Sequence, residues 1–258
     1  MSNEMDQSVS SRSMASDSIL LTTARILTFK QSRSLTNATG FFFENQGRLF
    51  LVTSRHVVID EPSGHHPDRI EIELHDDPAN LAKSTTYSIP LYRDGKGIWT
   101  QGRDSSGEVD VAAIEIDRAK MPVNTHYRAF TPEHLPGSPG EIEVGSAMLI
   151  VGFPLGFHDG LHHLPVVRHA VIASSFGLRF QGEGFFLTDA RTHRGTSGAP
   201  VVMRINSSAS SDDLPWQLLG IHSARMDLGT RDVVLDEALG LNCAWYSDIL
   251  LTLTEPKD

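Results

Sequence analysis

Thr188-Asp189-Ala190-Arg191-Thr192-His193-Arg194-Gly195-Thr196-Ser197-Gly198-Ala199-Pro200 is the stretch whose reading decides the fold. Its serine has glycine two residues before and one residue after, and proline at the third position beyond. Glycine reaches backbone angles closed to other residues, so such a turn can expose a serine hydroxyl and let a substrate carbonyl approach the main chain. The N–H groups of Gly195 and Ser197 are then candidates to meet at a developing oxyanion. Taken alone, a Gly-x-Ser-Gly string is more often a plain turn.

Outward from this turn the chain reads as short apolar runs broken by turn residues. In the second half, 147–152, 166–174, 184–188, 200–203, 217–222 and 240–245 read as strands. In the first half, 19–29, 40–43, 48–53, 69–75, 85–92 and 109–116 continue the series. Glu44-Asn45-Gln46-Gly47 reads as a hairpin turn, and Ile70, Ile72 and Leu74 share one side of a strand. No long segment keeps a helical period. A short closing helix from Ser247, with Ser247 as N-cap, is the exception. Many short strands predict an all-β barrel or sandwich. The Pro-containing polar stretch from Arg118 to Glu141 is the natural linker. The expected division is a disordered leader over 1–18, a first domain over 19–125 and a second over 126–258.

Two residues from the first half change the weight of the serine turn. Leu51-Val52-Thr53-Ser54-Arg55-His56-Val57-Val58 places His56 at the end of an apolar strand that follows a Gly-Phe strand. In Val109-Asp110-Val111-Ala112-Ala113-Ile114-Glu115-Ile116, Asp110 shares parity with Ala112, Ile114 and Ile116. A carboxylate with that parity is costly unless hydrogen-bonded. Fixing the tautomer of an imidazole is a role that justifies the cost; capping a turn at the strand entry is the plainer alternative.

Together these segments resemble the chymotrypsin-fold serine peptidases, and most of all the bacterial Deg/HtrA-type protease domain. The resemblance rests on Ala38-Thr39-Gly40-Phe41, Thr53-Ser54-Arg55-His56-Val57-Val58, Val109-Asp110-Val111-Ala112 and the 188–200 turn. Ile150-Val151-Gly152-Phe153-Pro154-Leu155-Gly156 and Leu219-Gly220-Ile221-His222-Ser223-Ala224 extend it, so that it covers roughly residues 19 to 250. The order His, Asp, Ser is the chymotrypsin order. The resemblance implies two six-stranded antiparallel β-barrels, a short C-terminal helix and an active site in the cleft between the barrels. It further implies a catalytic triad of His56, Asp110 and Ser197, with Gly195 and Ser197 as oxyanion hole. Two departures stand out. Thr196 replaces the Asp that receives a freed N-terminal amine in digestive members, so activation by N-terminal cleavage is not expected. Ala199 replaces a usual glycine. No PDZ domain is expected to follow.

The bulk composition is that of an ordinary globular protein. The 258 residues are 40% hydrophobic and 21% charged, with a net charge of -10, which argues against nucleic acid or an anionic membrane as main partner. The first 18 residues lack the pattern of a secretory signal. The one cysteine, Cys243, forbids an internal disulfide and points to a reducing, cytoplasmic setting. It reads as a small buried residue. His65, His66, His158, His162 and His163 read as solvated loop histidines, without the spacing of a zinc site.

The resulting expectation is a serine endopeptidase acting on polypeptides through an acyl-enzyme on Ser197, with no cofactor or metal. The alternative is a catalytically silent peptidase-fold binding module; an ester hydrolase is disfavoured by residue order. The first specificity pocket maps by motif position to Arg191 and Thr192, to Ser223, Ala224 and Arg225, and to the neighbourhood of Asn242. With no Asp over 191–194, a trypsin-like preference for Lys or Arg is not expected. Arg191 or Arg225 would favour an acidic or small polar residue, whereas arginines turned outward would leave a small apolar pocket.

Overall fold

The computed structural model describes residues 18–104, 107–137, 142–205, 214–223 and 240–256. Of the expected leader only Ser18 falls within them, and it opens a short 3-10 helix, Ser18–Thr22. The first half then lays down β1 (Thr23–Lys30), β2 (Arg33–Asn45), β3 (Arg48–Thr53), the four-residue helix α1 (Arg55–Val58), β4 (Arg69–His75), β5 (Ser84–Pro90), β6 (Tyr92–Arg93), β7 (Lys96–Gly97), β8 (Trp99–Asp104) and β9 (Gly107–Ile116). The second half supplies β10 (Ala147–Gly152), β11 (Val166–Ile172), β12 (Phe185–Asp189), β13 (Pro200–Arg204), β14 (Trp216–Ser223), β15 (Leu241–Tyr246) and the helix α2 (Ile249–Leu253).

The all-β class is as the sequence predicts. The second half closes as a six-stranded antiparallel barrel in the order β10-β11-β12-β15-β14-β13. The first half is a seven-stranded antiparallel sheet, β5-β4-β1-β2-β3-β9-β8, rather than a set of six strands. The extra member is β8, whose Trp-Thr-Gln-Gly-Arg-Asp carries no apolar alternation and is held by its ladder to β9. The β2–β3 hairpin turns at Gln46 and Gly47, both at positive φ (51° and 76°), with Asn45 opposite Arg48. That is the two-residue geometry matching strand twist.

The two halves share apolar packing. One buried cluster joins Phe41, Phe43, Val52 and Val111 of the first half to Val151, Leu187, Ile221 and Trp245 of the second. Within the stretch read as linker, Phe130 is fully buried, donates its N–H to Phe42 and accepts that of Glu44. Segment 126–130 therefore packs on the first half, although polar composition alone reads as a free connection. The closing helix begins one residue later than expected, with Asp248 at the N-cap position. The Ser247 hydroxyl is instead spent on Leu218 O at 2.7 Å, pinning the chain to β14.

Candidate active site

His56 sits on α1, directly after β3, because Thr53 and Ser54 are buried and anchored where the strand ends. Thr53 donates its hydroxyl to Thr39 O at 2.7 Å, and Ser54 donates its own to His222 O at 3.4 Å. Asp110 lies near the start of β9, the strand paired with β3. Its carboxylate meets His56 twice. The backbone N–H of His56 donates to Oδ1 at 2.9 Å, and Nδ1 lies 2.7 Å from Oδ2. The Ser223 hydroxyl donates to the same Oδ2 at 2.7 Å. Burial works to raise the Asp110 pKa, but the His56 charge, its ring and backbone N–H and the Ser223 hydroxyl outweigh it, leaving a net lowering. An ionised acceptor on Nδ1 holds the proton there and turns Nε2 free as a base.

Ser197 lies in the sequence-predicted turn, and that turn is stitched to both halves. Ser197 O accepts the N–H of Thr39 at 3.0 Å, and Gly195 O accepts the Thr39 hydroxyl at 2.7 Å. Gly198 donates its N–H to His222 O at 2.8 Å, the carbonyl that also receives Ser54. The dipeptide His222-Ser223 thus ties together the segments carrying His56, Asp110 and Ser197.

Glycine is required twice. Gly195 has φ +93°, and a Cβ there would meet Asn37 Oδ1 and Phe153 O at 2.5 Å. Gly198 has φ +85°, and its Cβ would collide with Thr39 O and Thr53 Oγ1. The Arg194 carbonyl points at the Leu155 N–H, 2.6 Å away. Across a trans peptide the Gly195 N–H must then face the opposite way. Among the described residues the amides of Gly195 and Ser197 have no acceptor, leaving both available to an incoming anion.

The expected pocket residues divide. Thr192 donates its hydroxyl to Asn242 Oδ1 at 2.7 Å, and the Asn242 amide donates to Ala190 O at 2.7 Å, so the turn before the serine is fastened to β15. Arg191 is exposed. Ser223 is buried with its hydroxyl on Asp110. Ala224 and Arg225 lie outside the described residues. Cys243 is buried and donates to Ser223 O at 3.3 Å. His162 pairs with Asp159, and His65 is half-buried with Nε2 3.1 Å from Val57 O. Among the described residues no three His, Cys, Asp or Glu side chains group to hold a metal ion. Sequence reasoning gave Thr39 no role and Ser223 only a substrate-side one. The available signal was a hydroxyl residue inside an otherwise apolar strand.

No curated protein matches the chain. Among solved structures, "HtrA-type protease AlgW with tripeptide" is similar at 20% identity and TM-score 0.55, covering 93% of this chain and 61% of that one. The serine endoprotease from Yersinia pestis is similar at 16% identity and TM-score 0.53, covering 96% and 66%. Deg5 is similar at 15% identity and TM-score 0.54, covering 97% and 95%. The chain therefore spans just under two thirds of the length of the first two. At these identities the likeness establishes a shared chymotrypsin-like fold. A family profile described as "Trypsin-like peptidase domain" matches residues 38–207. With that match over most of its length, the chain belongs to the trypsin-like peptidase domain family.

Proposed function

We propose that the chain is a serine endopeptidase that cleaves polypeptides through an acyl-enzyme on Ser197. The observation that carries this reading is the double hold of Asp110 on His56 at 2.7 and 2.9 Å, which leaves Nε2 as the ring's basic nitrogen. In this reading Ser197 Oγ attacks the scissile carbonyl while His56 Nε2 takes its proton. The carbonyl oxygen becomes an oxyanion between the N–H groups of Gly195 and Ser197. His56 then gives the proton to the leaving amine, and the acyl-enzyme forms. A water, deprotonated by His56, releases the acid product and restores Ser197. Asp110 stays ionised throughout and stabilises the imidazolium. The single cysteine adds the cytoplasm as the proposed compartment.

The test is covalent. A fluorophosphonate probe should add its mass to one residue, Ser197, and labelling and peptide cleavage should vanish together in Ser197→Ala while persisting in Cys243→Ala. Loss of the nucleophile should lower turnover by about 10³-fold or more. A folded wild-type chain that neither labels nor cleaves any peptide in a diverse library is instead the silent binding module.

A further inference from the structure

The glycine at position 195 fits where no side chain would, but it brings a second requirement. It sits at φ +93° with its Cα hard against Asn37 and Phe153, and a glycine's flanking peptide units turn at little steric cost. An oxyanion donor is worth most when it is fixed before the charge develops. The peptide units on both sides of the Gly195 Cα therefore have to be held from outside. The unit before it is held at its carbonyl, where Arg194 O accepts the Leu155 N–H at 2.6 Å. The unit after it is also held at its carbonyl, where Gly195 O accepts the Thr39 hydroxyl at 2.7 Å.

Both holds lead back to Thr39. The residue is 0% exposed on β2, and its Oγ1 also accepts the N–H of Phe153, two residues before Leu155, at 3.1 Å. An amide N–H can only donate, so the hydroxyl proton is left for Gly195 O and the rotor has one setting. The end of β10 comes this close because its last residue is Gly152; a Cβ there would stand 2.8 Å from Thr39 Oγ1. The backbone of Thr39 is committed as well. Its N–H donates to Ser197 O at 3.0 Å, and its carbonyl accepts the hydroxyl of Thr53 at 2.7 Å, in the segment leading to His56. One buried residue of the first half thus grips the serine turn at Gly195 and Ser197 and anchors the loop that holds Arg194 O.

We infer that Thr39 is a positioning residue for the proposed reaction: its hydroxyl, set by the Phe153 N–H, fixes the Gly195 amide toward the oxyanion from across the boundary between the two halves. Removing the hydroxyl leaves Gly195 O and the Phe153 N–H buried without their partner. The Gly195 peptide units then turn to satisfy them, and the donor leaves its place. A bound substrate carbonyl loses little by this, whereas the charged intermediate loses a donor, so the cost falls on kcat rather than KM. Serine keeps the hydroxyl at this position, and valine keeps only the shape. The placement of Thr39 also makes the oxyanion hole a joint product of both halves, although Gly195 and Ser197 belong to the second alone.

The inference rests on the peptidase reading, and its test separates the two. Thr39→Val, checked for native circular dichroism, should lower kcat by about 10²-fold with KM changed by less than about twofold. Thr39→Ser should recover kcat to within about threefold of the wild type. A peptide boronic acid, whose boron bonds to Ser197 Oγ and carries an oxygen into the oxyanion hole, should bind Thr39→Val more weakly by the factor lost in kcat. An intact peptide should bind the Ser197→Ala chain equally, within about twofold, with and without Thr39→Val. Added to Gly195→Ala, Thr39→Val should cost less than about threefold more, because both act on the same peptide units. Two NMR readings do not depend on turnover. The Thr39 hydroxyl proton of the unsubstituted chain should be resolved and protected from exchange, and the Gly195 amide resonance should move in Thr39→Val and return in Thr39→Ser. Normal kcat in a folded Thr39→Val chain, a change in KM alone, full multiplication with Gly195→Ala, or a Thr39 hydroxyl that exchanges like an exposed one overturns the role. A wild-type chain that cleaves nothing, while its Gly195 resonance still follows the Thr39 hydroxyl, overturns the peptidase reading and leaves the hold on Gly195 standing.

Discussion

Ser223 donates its hydroxyl to the Asp110 carboxylate oxygen that also faces His56 Nδ1, both at 2.7 Å. The donor ends β14 and the acceptor lies in β9, so this hydrogen bond joins the two halves at the group that orients the base. A bond to a charged acceptor is worth about 1.5–3 kcal/mol. Ser223→Ala should therefore lower kcat roughly tenfold with little change in KM, and Ser223→Thr should restore part of the loss. The Asp110 pKa is lowered, so its contribution to stability is present above the ordinary carboxylate pKa and lost as pH falls through the lowered value. Removing the Ser223 hydroxyl should move acid unfolding to higher pH. An unchanged kcat in a folded Ser223→Ala chain would show that Asp110 holds His56 unaided.

Gly195 supplies a second, separable test. A methyl at this position meets Asn37 Oδ1 and Phe153 O and occupies φ +93°. Gly195→Ala should therefore rotate the peptide whose N–H faces the proposed oxyanion. Misplacing one such donor costs about 10²–10³-fold in kcat. Labelling of Ser197 by a planar acylating agent should slow in parallel, while thermal unfolding shows the chain still folded. Near-normal turnover in this variant would remove the Gly195 amide from the mechanism.

Much of this was legible because burial imposes periodicity. β4 and β10 fall where alternation or a short apolar run put them, whereas His56, read as ending a strand, lies in the short helix that follows β3. What escaped reading has a physical reason. β8 is set by ladder hydrogen bonds between backbone groups, which nearly any residue can make, so Gln101 and Arg103 give no sign of it. Ser247 has the composition of a helix cap, yet a tertiary acceptor, Leu218 O, outcompetes the local one. His222 was visible only as part of the motif around Ser223. That its ring is fully buried with no partner among the described residues depends on strands β12, β14 and β15 meeting, which no local pattern encodes.

The turn at Thr196 bears on activation. Its N–H and hydroxyl both donate to His193 O, at 3.1 and 2.7 Å. These two local bonds close the turn without a charged partner at position 196. A chain begun at Asp17 and the full 258-residue chain should therefore show equal kcat/KM and equal rates of Ser197 labelling. Activity that appears only after removal of the first 16 residues would mean that the turn needs an outside partner after all.

The buried imidazole of His222 makes a prediction for stability against pH. In the unfolded chain a histidine titrates at about 6.5; in the folded chain burial holds His222 at about 3. Above pH 6.5 both states are neutral and pH has no leverage through this residue. Between about 6.5 and about 3 the unfolded state binds a proton that the folded state refuses, so stability falls as pH falls, by about 1.4 kcal/mol per pH unit. From pH 7 to pH 5 the contribution sums to about 2 kcal/mol. The remaining eleven histidines add to the absolute slope but cancel in a difference. Urea unfolding of the wild type and His222→Gln at both pH values isolates the term. The variant should lose about 2 kcal/mol less on acidification, whatever its stability at pH 7. Parallel losses in the two chains would mean that His222 takes up a proton while folded, and that the ring is already served by an acceptor inside the barrel.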